Sequence, residues 1–348
     1  MFITGRFTLR FCSVFLLLAV FSSLVVEGTL VHAIDLASLV ESSDLIVSGS
    51  VTSVTEQGRG TINTACGTLT GKKLLLVLLP DETIKGAAET ASLPVELGIP
   101  EAPCAIRGVP SQQYGIFFLQ REGPGYRFSD PMYPFLPAVR GGGSTTGGPP
   151  LDRIVAKLGE TLTYGRSTEV EISSALDALA TIQRDSATQT LRQALERTNG
   201  EVQLRIAWHL LAHNDMTGLD LVERALSHPA ALSDYWLLNL AGSLGGLKDP
   251  RAVPALKRLL ETNNQRIIKG AAIALRQSGS ADALEPLSRL LTNNDEQVRY
   301  YAVVGMGEIT RQDEWAPTFP EFREHEAKYV SYWRDWAASN LPRGDAPK

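Results

Sequence analysis

The chain lacks any run of basic residues. Its 33 Lys and Arg are outnumbered by 38 Asp and Glu, a net charge of −5, and this balance excludes sequence-independent nucleic-acid binding, which needs a positive surface against the phosphates. Catalytic signatures are missing as well. No Gly-x-Ser-x-Gly elbow occurs, His228 and His325 stand alone, and His209-Leu-Leu-Ala-His213 has no glutamate of the kind a metalloprotease helix carries. Nothing in the sequence points to a bound cofactor. Cysteine is scarce: of the three, Cys12 falls in the first segment, which leaves Cys66 and Cys104. Charged residues make up 20% of the chain beside ordinary apolar content, so no long disordered or fibrous part is expected.

What the chain does have begins with an export signal. Arg6 and Arg10 precede the apolar run from Phe11 to Val26, and Val31-His32-Ala33 fits cleavage after Ala33. Residues 1–33 are therefore expected to be removed, leaving a secreted or periplasmic protein beginning at Ile34. Membrane contact is expected only if the segment is kept, since the run falls slightly short of the roughly 20 residues that span a bilayer. Loss of Arg6, Arg10 and Glu27 takes the net charge from −5 to −6. In an oxidising compartment Cys66 and Cys104 are expected to form one bridge; the competing reading is two unpaired buried thiols.

Residues 34–140 carry strand signals. Leu45 to Val54 mixes β-branched residues with alternation, Leu74 to Leu79 is a continuous apolar run ended by Pro80-Asp81, and Tyr114 to Leu119 is followed by the turn-like Gly123-Pro124-Gly125. Short strands punctuated by Gly and Pro indicate an all-β unit. A short helix over Ile34 to Ser42 is expected to lead into it. Gly67-Thr-Leu-Thr-Gly-Lys-Lys73 is one residue short of a phosphate loop and lacks its Ser or Thr, so it reads as a turn before Leu74. The elements Ser43 to Gly49, Thr83-Ile84-Lys85-Gly86, a Cys, and Gly115 to Leu119 resemble the small secreted OB-like barrels of the tissue-inhibitor and netrin type. The resemblance implies a barrel and no activity, because protease inhibition in that family depends on a free N-terminal cysteine and Ile34 stands at the expected mature terminus.

Residues 141–150, Gly-, Ser-, Thr- and Pro-rich, read as a linker. From Leu151 to about Thr310 the texture is helical, and it repeats. A shift of 31 residues lays Ala252-Val-Pro-Ala-Leu-Lys-Arg-Leu-Leu260 over Ala283-Leu-Glu-Pro-Leu-Ser-Arg-Leu-Leu291, Asn263 over Asn294, Ile267 over Val298 and Ala271 over Ala302. A period of this length built from two helices means a solenoid in which each pair buries its apolar face against its neighbours. Asp249 to Leu256, with Ile267, Ala271, Ala274 and Leu275 and then Val298, Arg299, Ala302 and Met306, resembles HEAT repeats of the short type first named from phycobilisome lyases. That resemblance implies a right-handed stack of about five helix pairs and carries no lyase chemistry.

The fold class is thus two-domain: a small all-β, OB-like barrel followed by an all-α solenoid of HEAT-like pairs over 151–310. Residues 311–348 hold Trp315, Phe322, Tyr329, Trp333 and Trp336, and are expected to supply a capping helix from about Glu321 to Ser339 and a tail. The architecture implies a non-enzymatic interaction protein with a protein or peptide partner, and Arg205, Arg266, Lys269 and Arg299, on the second helices of their pairs, are the candidate contacts. The competing reading is an exported hydrolase or metal-dependent enzyme with a site between the domains or at His209 and His213, whose spacing of four puts both rings on one face of a helix.

Overall fold

The structure, a computed structural model, describes residues 35–64, 67–88, 90–101, 113–131, 133–141 and 147–342. Segment 1–33 and both Cys66 and Cys104 lie outside these residues. Helix α1 (Leu36–Ser42) opens at Asp35, whose carboxylate accepts the Ser38 N–H, and closes against Lys85, whose ammonium donates to the carbonyls of Val40, Glu41 and Ser43. Six strands follow: β1 (Leu45–Thr64), β2 (Gly67–Lys85), β3 (Leu93–Pro100), β4 (Tyr114–Glu122), β5 (Gly125–Phe128) and β6 (Phe135–Pro137). They form one sheet in the order β1-β2-β3-β5-β4-β6, and a further pairing of β1 with β4 returns the sheet to its first strand. The β3–β5 pairing is parallel and the others antiparallel.

Such a return requires β1 to coil. It pairs with β4 over Leu45–Ser50 and with β2 along its length, and its register with β2 shifts four times; shifts of this kind bend a strand and raise its twist. Gly49 lies at a close crossing, where a Cβ would stand 2.3 Å from the Leu79 carbonyl oxygen. Gly67 to Lys73, expected as a turn, is instead the first part of β2, paired with Lys73 opposite Gly58 and Gly67 opposite Thr64. Its glycines serve close strand approach: a Cβ on Gly71 would fall 2.1 Å from the Ile99 carbonyl oxygen.

Alternate residues of β1 and β4 enter two different cores. Leu45, Val47, Phe117 and Leu119 join Leu76, Leu78, Val95 and Phe128 inside the sheet, while Ile46, Ile116 and Phe118 face the other way. There they meet Leu36 and Leu39 of α1 and the first helices of the C-terminal half in one continuous apolar cluster. Burial on both faces explains why Leu45-Ile-Val47 of β1 and Ile116-Phe-Phe-Leu119 of β4 are continuous apolar stretches.

The sheet and the helical half thus share one apolar cluster across their boundary. Of the expected linker 141–150, residues 142–146 lie outside the described residues, and Pro150 already belongs to helix α2 (Pro150–Thr163), with Pro149 before it. Arg153 of α2 donates to Glu82 at 2.7 Å and to the carbonyls of Thr83 and Ile84, and Lys157 reaches the other Glu82 oxygen at 3.1 Å. Linker composition describes only the connecting residues; the outer apolar face of β1, β4 and β6 needs cover, and α1, α2 and α3 provide it. Burial disfavours the Glu82 charge, yet hydrogen bonds and attraction from Arg153 and Lys157 outweigh it and hold the carboxyl below its ordinary range.

Ten helices then pair in sequence: α2 with α3 (Glu169–Ala180), α4 (Asp185–Arg197) with α5 (Gly200–Ala212), α6 (Leu219–Leu226) with α7 (Asp234–Gly246), α8 (Val253–Leu260) with α9 (Gln265–Ser278), and α10 (Leu284–Leu290) with α11 (Glu296–Thr310). First helices pack on first helices (α2 on α4, α6 on α8), and second helices stack from α3 through α5, α7, α9 and α11. The 31-residue period has a local cause. Asp249 and Ser280 each accept the N–H two residues on and open a 3-10 turn into α8 and α10, as Asp215 does before α6. Asn264 and Asp295, again 31 apart, cap α9 and α11 in the same manner.

Helix α12 (Phe319–Asn340) closes the far end. A Thr318/Glu321 capping box starts it, Phe322, Tyr329 and Trp333 are buried against the last pair, and Trp336 is half-buried. Trp315 stacks on Tyr332 at 3.6 Å, and its carbonyl accepts the Trp333 indole N–H. Among the described residues no helix is long and apolar enough to cross a membrane.

Candidate functional site

The second helices turn one stripe each into the stack and leave another more exposed. On α5 this stripe is Glu201, Arg205, Trp208 and Ala212; on α7 it is Tyr235, Asn239, Gly242 and Gly246; on α9 it is Arg266, Gly270, Ile273 and Gln277, with Arg205 largely covered and Gly270 lying against α7. The spacings of three and four are those of one helix face. The three helices lie side by side in the stack, so these stripes adjoin one another.

Several polar side chains of the second-helix layer are tied to a neighbouring helix. Arg205 of α5 bonds Glu169 and donates to Ser173 of α3 at 2.6 Å. Arg276 of α9 holds Glu308 of α11 through two bonds of 2.6 Å. Arg299 of α11 binds Glu326 of α12 and the carbonyls of Asn293 and Asn294. Between them, Asn264 bridges to Asp234 at 2.7 Å and Lys269 to Gln297 at 3.0 Å. The result is a ladder of cross-helix contacts running the length of the second-helix layer. Of the four basic residues expected to contact a partner, Arg205 and Arg299 are thus engaged within the chain, Lys269 has only a neutral acceptor, and Arg266 is exposed.

One apolar feature interrupts the ladder. Trp208 of α5 and Trp236 of α7 meet edge to face at 5.5 Å, Tyr235 packs its ring at 6.3 Å from Trp236, and the Trp208 indole donates to Ser243 at 2.7 Å. Tyr235 is 66% exposed. The sequence held a signal for this cluster, since Trp208 and Trp236 fall about one repeat apart on equivalent helices, but only the pairing of α5 with α7 shows that they touch.

His209 and His213 are neighbours at the end of α5 in different settings. His209 is buried beside the Trp208 ring, 4.5 Å away, and burial above all, with the neighbouring His213 and Arg205, lowers its pKa to about 4. His213 caps α5, its N–H donating to the His209 carbonyl, and its Nε2 lies 3.1 Å from the Ala180 carbonyl. Among the described residues no group of three or more His, Cys, Asp or Glu is placed to hold a metal ion.

On the first-helix side, Asp220, Glu223, Arg224, Ser227, Pro254 and Arg258 line an open groove of about 440 Å³ between α6 and α8. Burial and the charge of Asp220 push the Glu223 carboxyl up. The groove carries both signs of charge and no aromatic side chain, unlike the α5–α7–α9 surface.

No curated protein matches the chain. Residues 231–307, which run from the approach to α7 through most of α11 and include Tyr235, Trp236, Arg266 and Lys269, match the family of HEAT repeats.

Proposed function

We propose that this chain is an exported, non-enzymatic scaffold that binds a protein or peptide partner through the exposed face of its second helices. HEAT repeats commonly serve protein interaction, and a helical stack offers extended surfaces more readily than enclosed, water-excluding pockets. The observation that carries the reading is the exposed Tyr235, backed by Trp236 and Trp208, on the face of the second helices. Tyrosine and tryptophan anchors of this kind dominate the energetics of protein interfaces.

The remaining parts of the proposal fit this role. The leader-like segment 1–33 supports export after cleavage at Ala33, and export supports a Cys66–Cys104 bridge. The cycle of pairings β1-β2-β3-β5-β4-β1 supports an OB-like barrel that anchors the N-terminal end of the stack. The 31-residue period supports the short, phycobilisome-lyase type of HEAT repeat.

A photo-crosslinking residue placed at Gly242, where a Cβ meets nothing within 4 Å, tests the face in the native host. Capture of a partner from Gly242, with none from the same residue at Arg258 on the first-helix side, is the expected result. Equal capture from both positions, or capture from Arg258 alone, would overturn the assignment. Intact-mass measurement on the same material reads cleavage after Ala33 and the two-hydrogen loss of a disulfide.

A further inference from the structure

We infer that the second-helix face recognises an acidic peptide segment carrying an aromatic or aliphatic side chain, with its apolar group against Tyr235 and Trp236 and its carboxylates over Arg266 and Lys269. This rests on the reading of that face as the docking surface and adds the chemistry of what docks there.

Charge complementarity carries the argument. Along the face, Arg205, Arg276 and Arg299 each have a carboxylate partner on the adjacent helix. Arg266 and Lys269 do not. The Arg266 guanidinium makes no hydrogen bond or ion pair among the described residues, and Lys269 donates only to the neutral Gln297. The nearby carboxylates are committed elsewhere: Asp234 accepts from Asn264 and stands at the start of α7, and Asp295 accepts the Gln297 and Val298 N–H groups at the start of α11. Each faces the positive end of its own helix, so the two cations of α9 remain the unneutralised charges of this stretch.

Arg266 sits beside the aromatic cluster, with Lys269 one turn on and reaching towards α11. Gly270 of α9 packs opposite Ala241 and Leu238 of α7, and one helical turn earlier Arg266 comes level with Asp234 and Tyr235, a register that the Asn264–Asp234 bond fixes. An exposed tyrosine and an unpaired arginine therefore flank the same crossing between α7 and α9. Over α7 the surface is open, because a Cβ at Gly242 or at Gly246 would meet nothing within 4 Å. A basic segment would set its charges against Arg266 and Lys269, and a wholly apolar one would leave both cations facing it without partners.

Fluorescence anisotropy on the full chain tests this with two short labelled peptides of matched length. One contains Asp, Glu, Leu and Trp, and the other replaces each carboxylate residue with Lys. The acidic peptide is expected to bind and to weaken as salt is raised, and the basic one to bind at least about tenfold more weakly. In an Arg266→Glu, Lys269→Glu variant the preference should reverse. Tyr235→Ala should weaken the acidic peptide several-fold, leaving the preferred sign of charge unchanged. All three side chains are exposed or half-buried, and circular dichroism confirms that the variants fold. Equal binding of the two peptides to the wild-type chain, or an acidic-peptide affinity within about twofold in the double glutamate variant, would overturn the inference, as would no binding of either peptide. In each of those cases, capture from Gly242 alone would leave the docking face standing with a different partner chemistry, and capture from neither position would remove both readings.

Discussion

Acidification from pH 7 to pH 5 is expected to destabilise this protein through one side chain, His209. It is buried in α5 beside Trp208, with its pKa lowered from 6.5 to about 4. Between these two values the unfolded chain binds a proton that the folded chain refuses, so stability rises with pH across the window. The contribution is complete above about pH 6.5 and is lost as the pH falls towards 4. The full shift corresponds to roughly 3 kcal/mol. At pH 5 the unfolded imidazole is almost fully protonated and the folded one barely so, which places about 2 kcal/mol of the loss between pH 7 and pH 5. The lowered carboxyls of Glu82, Asp215 and Glu169 lose their contributions only below their ordinary values, outside this range. Glu223, whose carboxyl is raised, acts with the opposite sign. Urea unfolding followed by tryptophan fluorescence at pH 7 and pH 5 measures the change, and a His209→Leu variant removes the titration but keeps every other group. The wild type should lose about 2 kcal/mol more than the variant over this interval. Equal losses in the two proteins would refute the reasoning.

Three further outcomes follow from packing and pairing. Trp333→Ala removes a fully buried indole and its bond to the Trp315 carbonyl, and should cost about 3–5 kcal/mol in urea unfolding, with hydrogen exchange accelerating in α10 to α12 more than in the sheet. Glu82→Gln leaves Arg153 and Lys157, both largely buried, without their counter-charge; a loss of about 3 kcal/mol is expected, with calorimetry showing the sheet and the helical stack beginning to unfold separately. Gly71→Ala sets a Cβ against the Ile99 carbonyl oxygen and the Ile62 side chain and should cost about 1–3 kcal/mol by overpacking, with faster exchange along the β2–β3 pairing.

The helical half was legible because its information is local and repeated. The recurrence of Ala252 at Ala283, Leu256 at Leu287 and Asn263 at Asn294 marks the pairs, and each has a packing or capping reason in the stack. The sheet was legible only where its strands are apolar. Leu45 to Val54, Leu74 to Leu79 and Tyr114 to Leu119 announced themselves, but the polar, glycine-bearing stretch from Thr55 to Thr64 is strand only because β2 lies beside it, and the short β5 and β6 depend on β4. The union of the two halves left no local trace. Ile46 and Phe118 look like ordinary core residues in the sequence, and nothing there says that their cover comes from α1 and from helices that begin only at Pro150. The candidate surface was half visible. Arg266 and Lys269 were named on helix position, whereas Arg205 and Arg299 have the same spacing yet bond within the chain, a distinction that depends on Glu169 and Glu326 being brought alongside.

The contact of the first helix pair with α1, β2 and β6, and of the last with α12, has a consequence for assembly. A repeat stack with bare ends presents complementary apolar surfaces and adds further copies of itself head to tail, an open contact that grows filaments. Here one end abuts a sheet and the other a helix rich in tryptophan, and neither resembles the inner face of a repeat. Among the described residues the stack therefore holds five helix pairs between its two covers, and these set the span across which α3 to α11 hold their side chains in register.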